Sequence, residues 1–253
     1  MLFESRFGHC ANEFQLYRPD YPAQLYARIF ADIPDDCRHC AMDLGAGTGI
    51  VAGHLVSRFR NVIAVEPDVA MAAKITEQFP SITVRQTTAE ECVQPPETAD
   101  LVTIANALHW MHAERVLANA HSWLRVRATL AVFDRPLPKS SPEVDAITMA
   151  EFRGSWKPYR DARLKRDLIW QDQIRAARGF CVVEEARLPN VKEMTATEYA
   201  GFWRSTSYGS AYARTLAEPE KYWRDLESRL AAASGGPAIS VDFSSTLILL
   251  HKI

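Results

Sequence analysis

The sequence predicts an α/β fold in which a mostly parallel sheet is covered by helices on both faces. Short apolar runs typical of buried strands alternate with helix-like periodicity through the first half of the chain. A glycine-rich turn at residues 45–49 joins the first of these strands to a helix, and Glu66 ends the second strand. With 253 residues, the chain has a suitable length for one α/β domain that carries insertions.

The first half supplies the regular part of this fold. Leu25, Ile29 and Ile33 recur at helical spacing after Pro22, which predicts a helix over about 22–33. Strands are predicted at 41–44, 62–65, 82–86, 99–105 and 128–134. Helices are predicted after the first, second and fourth of these strands, within 51–59, 68–79 and 116–124.

The second half is less regular. Residues 136–178 are rich in charged and aromatic side chains and are expected to end in a helix before Gly179. A strand follows over 180–188, then an aromatic-rich insertion at about 190–235, then a last strand at about 240–250. We therefore expect a single domain over 1–253, in which the segments at about 136–178 and 190–235 cover a substrate.

Composition narrows the classes of function. A net charge of −2 gives no overall attraction to nucleic acid or to an anionic membrane. No apolar run approaches the roughly 18 residues that span a bilayer, and the first residues do not resemble a secretory signal. We therefore expect a soluble, cytoplasmic protein. One cluster of basic residues comprises Lys157, Arg160, Arg163, Lys165 and Arg166. It either forms the solvated face of a helix or attracts an acidic substrate.

The cysteines include one pair that could bind a metal ion. Their odd number, five, in a chain expected to be cytoplasmic favours reduced thiols. Cys37 and Cys40 form a C-x-x-C pair around His39, and His9 with Cys10 could complete a zinc site. Because no second C-x-x-C pair exists, the prediction is no metal.

The glycine-rich turn predicts a cofactor at the carboxyl ends of the strands. Glycines allow the chain to turn sharply and to approach a ligand closely, and a carboxylate at Glu66 can accept hydrogen bonds from both hydroxyls of a ribose. The spacing is G-x-G-x-G, whereas a nicotinamide fingerprint is G-x-G-x-x-G. Asp43 precedes the turn, where an acid would repel a pyrophosphate but attract a cationic amino group.

Residues 43–49, read with Glu66, resemble the first motif of class I methyltransferases that use S-adenosylmethionine (SAM). The resemblance implies a Rossmann-like, seven-stranded sheet whose last strand is antiparallel. It also implies that residues 88–90 approach the adenine and that Asn106 closes over the methionine end. The predicted cofactor contacts are Tyr17, Arg18, Asp43, Gly45, Ala46, Gly47, Thr48, Gly49, Glu66, Pro67, Ala89, Glu90 and Asn106.

A narrower resemblance links segments 14–22, 106–110 and 203–208 to small-molecule methyltransferases related to trans-aconitate methyltransferase. It implies that residues 1–22 form a lid. It also implies that the methyl acceptor is a small molecule, either aromatic or carboxylate-bearing, whose nucleophilic atom is O, N or C. The predicted substrate contacts are Tyr21, Trp110, Arg204 and Tyr208. The predicted partners include neither nucleic acid nor membrane, and the chain is expected to be a monomer or a homodimer.

His109 is the predicted general base, because it follows the fourth strand and histidine exchanges protons near neutral pH. A buried histidine that bonds only to the backbone is the alternative. Three rival functions remain: a SAM-binding enzyme that catalyses a cyclisation or other non-methylating reaction, a non-catalytic scaffold subunit, and a nicotinamide oxidoreductase.

Overall fold

A computed structural model describes residues 7–161 and 170–253. Seven strands form one sheet in the order β3-β2-β1-β4-β5-β9-β6. They are β1 (Cys40–Leu44), β2 (Asn61–Val65), β3 (Thr83–Arg85), β4 (Ala99–Ala105), β5 (Leu124–Asp134), β6 (Phe180–Leu188) and β9 (Ser245–Lys252). Two further strands, β7 (Val191–Met194) and β8 (Ile239–Asp242), pair with each other in a separate small sheet.

The pairing of the large sheet confirms the predicted fold class. Strand β1 lies near the middle and pairs in parallel with β2 and β4, and β4 pairs in parallel with β5. The last strand, β9, is inserted antiparallel between β5 and β6. Every residue of β1 is buried, as expected for a strand covered on both faces. The carboxyl ends of β1, β2, β4 and β5 therefore meet along one edge.

Helices cover both faces of this sheet, and the other helices form a cap beside it. They are α1 (Ala11–Tyr17), α2 (Ala23–Ala31), α3 (Ile50–Val56), α4 (Val69–Gln78), α5 (Ala113–Trp123), α6 (Pro142–Arg153), α7 (Trp170–Arg175), α8 (Ala196–Arg204), α9 (Ser207–Ala213) and α10 (Pro219–Ser234). One core lies between the sheet and α2 and α3, and a second lies between the opposite face and α5 and α7. Short 3-10 turns lie at Gly8–Cys10, Asp35–Cys37, Leu108–Trp110 and Lys157–Tyr159.

The two predicted insertions pack against each other. A third core joins α6 to α8, α9, α10 and the small sheet, with Trp156 and Trp203 stacked at its centre at 5.2 Å between ring centroids. Both indoles are fully buried. The cap is therefore one packed unit with its own apolar interior, and it lies over the carboxyl edge of the large sheet.

Two predictions about elements are corrected. The strand expected at about 240–250 is interrupted, because Asp242 Oδ1 accepts a hydrogen bond from the Ser244 backbone amide and turns the chain between β8 and β9. Helix α6 was not predicted within 136–178; its start is fixed by Ser141, whose side chain caps the Val144 amide. Of the basic cluster, Arg163, Lys165 and Arg166 lie outside the described residues.

Within residues 7–161 and 170–253, no helix is both long and apolar enough to cross a membrane. The same residues contain no group of three or more potential metal ligands. Cys37 is exposed while Cys40 is buried, and all five cysteines are free thiols.

Candidate active site

The turn between β1 and α3 is held against the neighbouring strand. The backbone amides of Gly45 and Ala46 both donate to the carbonyl of Val65 at the end of β2, at 2.8 and 3.2 Å. Gly45, Gly47 and Gly49 all have positive φ angles, of 69°, 57° and 91°. The loop is thereby fixed in a shape that residues with a Cβ adopt only at a cost.

The three glycines differ in what surrounds them. A Cβ on Gly45 would lie 2.7 Å from the Cβ of Ala107 and 2.8 Å from Met111, so this glycine permits close packing inside the protein. A Cβ on Gly47 would meet nothing nearer than the Phe14 ring at 3.6 Å, and Gly47 lines the large cavity described below. Gly47 is therefore the glycine that leaves room for a ligand.

This difference predicts separate effects on stability and binding. Gly45→Ala should lower the free energy of unfolding by about 2–4 kcal/mol, because strain from positive φ adds to a clash. Gly47→Ala should cost only the strain, about 1–2 kcal/mol, but should weaken ligand binding. Gly235→Ala is the matched control, since Gly235 has φ 66° with nothing within 4 Å of its Cβ position. Denaturant unfolding of the three variants would contradict this ranking if Gly45→Ala and Gly235→Ala were equally stable.

Asp43, the last residue but one of β1, has an incompletely satisfied carboxylate. Its side chain is 1% exposed, and Oδ1 accepts a hydrogen bond from the hydroxyl of Thr103 at 2.7 Å. Its other oxygen, Oδ2, is buried and has no hydrogen-bond partner within the described residues. Burial raises the pKa of Asp43 to about 6, although the bond from Thr103 opposes the shift. A buried acceptor without a partner at a cavity wall suits a cationic donor on a ligand.

Glu66 lies just past the end of β2 and is also buried. Its Oε2 accepts from the Gly47 amide at 2.8 Å, and its Oε1 accepts from the Asp68 amide at 2.9 Å. Burial raises the pKa of Glu66 to about 7, opposed by these two backbone hydrogen bonds. Each oxygen retains capacity for a further donor, so the carboxylate can accept two hydroxyl groups.

These groups line one cavity of about 1440 Å³ along the carboxyl edge of the sheet. Ligand sites for a single small molecule usually occupy about 300–1,000 Å³, so this volume suits two molecules side by side. Of the predicted cofactor contacts, those lining it are Arg18, Asp43, Gly45, Ala46, Gly47, Glu66, Pro67, Ala89, Glu90 and Asn106. Of the predicted substrate contacts, those lining it are Tyr21, Trp110 and Tyr208.

Two of these residues are fixed by local backbone contacts. Glu90 Oε1 accepts a hydrogen bond from the His112 amide at 2.7 Å, which joins the loop after β3 to the start of α5. Asn106 adopts a φ of 51° just after β4, and its amide donates to the carbonyl of Phe133 in β5. Asparagine tolerates this left-handed conformation better than most residues, so the sharp bend after β4 is built into the sequence.

Four predicted contacts lie elsewhere. The guanidinium of Arg204 pairs with Glu13 at 3.2 Å and with Glu220 at 2.7 Å, which ties α8 to α1 and α10 outside the cavity. The structure therefore does not place Arg204 among the residues that line the cavity. The Tyr17 ring packs against Gly201 of α8, so Tyr17 does not line the cavity either. Thr48 and Gly49 line a separate depression of about 350 Å³.

Arg18 connects the first segment of the chain to the cap. Its guanidinium lies 4.8 Å from the ring centroids of both Phe14 and Phe202, and its Nε donates to the hydroxyl of Ser205 at 2.8 Å. Burial, followed by the positive charge of Arg135, lowers the pKa of Arg18 to about 10. The described residues place no carboxylate within 4.0 Å of this guanidinium, which remains cationic at neutral pH and suits a carboxylate on a ligand.

His109 lies in the turn after β4, beside an acid that the sequence reasoning did not identify. Its Nδ1 is 3.8 Å from Oδ2 of Asp134, and neither side chain is more than 14% exposed. This Nδ1 has no hydrogen-bond partner within the described residues. Asp134 is the last residue of β5, so its place at the same edge as Asp43 could have been inferred from the strand prediction.

Comparison with known proteins is consistent with this geometry. Residues 41–127 match a family model described as a methyltransferase domain. A Dictyostelium discoideum protein named as a methyltransferase is 29% identical, and the match covers 99% of this chain and 96% of that protein. A Saccharomyces cerevisiae protein named as an S-adenosylmethionine-dependent methyltransferase is 31% identical over 45% of this chain and 41% of its own length.

Among solved structures, one described as a type II methyltransferase from Anaeromyxobacter dehalogenans superposes with a TM-score of 0.73. The two chains are 24% identical, and the match covers 92% of this chain and 97% of the other. At that identity the likeness shows the fold, which is Rossmann-like. The narrower resemblance to trans-aconitate methyltransferase stays a prediction, since none of these matches bears on it.

Proposed function

Because this chain is a methyltransferase with a Rossmann-like fold, we propose that it binds SAM in the cavity and methylates a small-molecule acceptor there. The observation that supports this most strongly is the unpartnered Oδ2 of Asp43 at the cavity wall, next to Gly47 and Glu66. An ammonium group satisfies this oxygen, and a ribose satisfies Glu66. A carboxylate on the same ligand finds its counter-charge at Arg18. SAM carries all three groups.

Different residues bind different groups of SAM. Asp43 neutralises the amino group, Glu66 accepts from the ribose hydroxyls, and Gly47 lets the backbone approach the ligand. Asn106 and Ala89 provide walls on either side. When bound, SAM supplies an electrophilic methyl group on its sulfonium. The protein must then hold a nucleophile about 3 Å away and exclude water.

The rest of the cavity suits the acceptor. Tyr21, Trp110, Phe152 and Tyr208 provide a largely apolar lining, and the cap covers it. If His109 holds its proton on Nδ1, toward Asp134, then Nε2 is the ring atom that accepts a proton from a hydroxyl or amine nucleophile. In this arrangement Asp134 orients the ring and stabilises its protonated form.

SAM affinity should fall as pH drops below about 7. Ribose hydroxyls donate to the ionised form of Glu66, and burial holds the pKa of this carboxyl at about 7 in the free protein. Below that pH, ligand binding must first displace a proton, which weakens it by up to tenfold per pH unit. Calorimetric titration with SAM across about pH 5 to 9 measures the effect.

Glu66→Gln is the matched variant for this experiment. It should bind SAM more weakly at pH 8 and lose the part of the pH dependence centred near 7, leaving only the part near 6 that arises from Asp43. Absence of SAM binding by folded wild-type protein at every pH would reject the proposed function. Release of S-adenosylhomocysteine in the presence of an acceptor then distinguishes methylation from a cyclisation that leaves SAM intact.

A further inference from the structure

Charge is divided between the two ends of the cavity. The end formed by β1, β2 and the loops after them carries the carboxylates of Asp43, Glu66 and Asp68. The end formed by β5, β6 and the segment after β5 carries Arg135, Lys139 and Arg187, together with one carboxylate, that of Asp134. Two further cations that line the cavity, Arg18 and the exposed Arg115 of α5, lie outside this basic end. The acidic end suits the cationic groups of SAM, so the basic end faces the acceptor.

Arg135 is half-buried, whereas the other two cations of this end, Lys139 and Arg187, are exposed. Arg187 lies 3.8 Å from Asp242, whereas the described residues place no carboxylate within 4.0 Å of the Arg135 guanidinium. Its Nε is buried and has no hydrogen-bond partner there. One terminal nitrogen donates to the carbonyl of Pro19 at 2.8 Å, and the group lies 4.3 Å from the Tyr21 ring centroid. These contacts hold the guanidinium in place but leave donors unused.

The position of Arg135 relates it to the reaction centre. It follows Asp134 directly, and Asp134 faces His109 across 3.8 Å. It also lies near enough to Arg18 for the two positive charges to interact unfavourably. In the proposed function the carboxylate of SAM neutralises Arg18, so the positive charge of Arg135 remains available to a second anion.

We propose that the acceptor is a small aromatic carboxylic acid and that Arg135 binds its carboxylate. The Arg135 fork matches a carboxylate, and the rings of Tyr21, Phe152 and Tyr208 provide a wall for a planar group. This proposal rests on the proposed function, because it assumes that SAM occupies the acidic end. The acid is held with its nucleophilic atom toward His109.

The test uses protein loaded with S-adenosylhomocysteine and pairs of probes in which a neutral amide of the same shape replaces the carboxylate: benzoate with benzamide, and cinnamate with cinnamamide. Wild type should bind the acids at millimolar or lower concentration and the amides more weakly. Arg135→Gln should lower the affinity for the acids by about 10- to 100-fold and leave that for the amides unchanged. Arg135→Lys should retain part of the affinity, because lysine keeps the charge without the fork.

The exposed Arg58, which lies over the Phe30 ring, provides the control variant Arg58→Gln, whose binding should match wild type. Equal affinity for acids and amides, or no acid bound by loaded wild type, would overturn the proposal. So would an Arg135→Gln protein that unfolds more easily yet keeps its preference for acids, since Arg135 would then only hold the segment at Pro19. Failure of the proposed function is seen separately, as failure of wild type to bind S-adenosylhomocysteine.

Discussion

Replacing Asp43 by asparagine should lower the affinity for SAM by about 100-fold or more. The buried Oδ2 of Asp43 has no partner in the free protein, so the full value of pairing it with an ammonium appears on binding. In the variant, the amide oxygen can still accept the hydroxyl of Thr103, and the amide NH₂ then faces the position where the ammonium would bind. The amide NH₂ and the ammonium are both hydrogen-bond donors, so they cannot pair. Calorimetric titration with SAM measures the resulting loss of affinity.

The stability of the same variant should change in the opposite direction. Folding raises the pKa of Asp43 from its unfolded value to about 6. The free energy of unfolding therefore falls as pH rises from the unfolded pKa to about 6, because the buried side chain must ionise. Above that pH, Asp43→Asn removes the cost, and the free variant should unfold at the same or a higher denaturant concentration than wild type. A binding residue that destabilises the free protein is typical of a site prepared for a ligand.

Asp100 offers a matched control at the opposite end of the sheet. It is equally a buried acid, but its carboxylate accepts from the amides of His39 and Cys40 and pairs with Arg125. Asp100→Asn should therefore lower stability and leave SAM affinity unchanged. If both variants lost stability and neither lost affinity, Asp43 would be a structural residue and the cofactor assignment would fail.

The regular part of the fold could be predicted because its determinants are local. Apolar runs such as 62–65 identify the parallel strands, and the glycines at 45, 47 and 49 identify the turn between β1 and α3. The same reasoning places Asp43 and Glu66 at one edge, because carboxyl ends of parallel strands meet there. Their hydrogen-bonding states depend on burial, which the sequence does not reveal.

The cap and the acceptor end could not be predicted in the same way. Arg204 and Arg135 look equivalent in the sequence, but Arg204 is neutralised by Glu13 and Glu220, which are distant along the chain. The aromatic residues within 190–235 also divide by tertiary packing: Tyr199 and Trp203 lie in the core of the cap, while Tyr208 reaches the cavity. These outcomes depend on how two insertions pack together, and no local pattern encodes that packing.

Replacing His109 by glutamine should lower kcat for an acceptor with a hydroxyl or amine nucleophile by about 10²- to 10⁴-fold. Glutamine approximates the polarity and reach of the imidazole but cannot accept a proton near neutral pH. Because His109 is placed at the acceptor side, SAM affinity should remain within about threefold of wild type. Asp134→Asn should lower kcat less, since it removes only the group that orients the ring and supports its charge.

A second histidine and aspartate pair provides the comparison. His251 Nε2 lies 2.9 Å from Asp32 Oδ2, and Asp32 also accepts from the hydroxyl of Thr129 in the middle of β5; none of these three residues lines the cavity. His251→Gln should leave kcat unchanged. If His109→Gln also kept its kcat, the nucleophile would need no base, as is true of a carboxylate that is itself methylated. The effect of His109 on kcat thus indicates which atom of the bound acid receives the methyl group, because only a protonated nucleophile requires the imidazole.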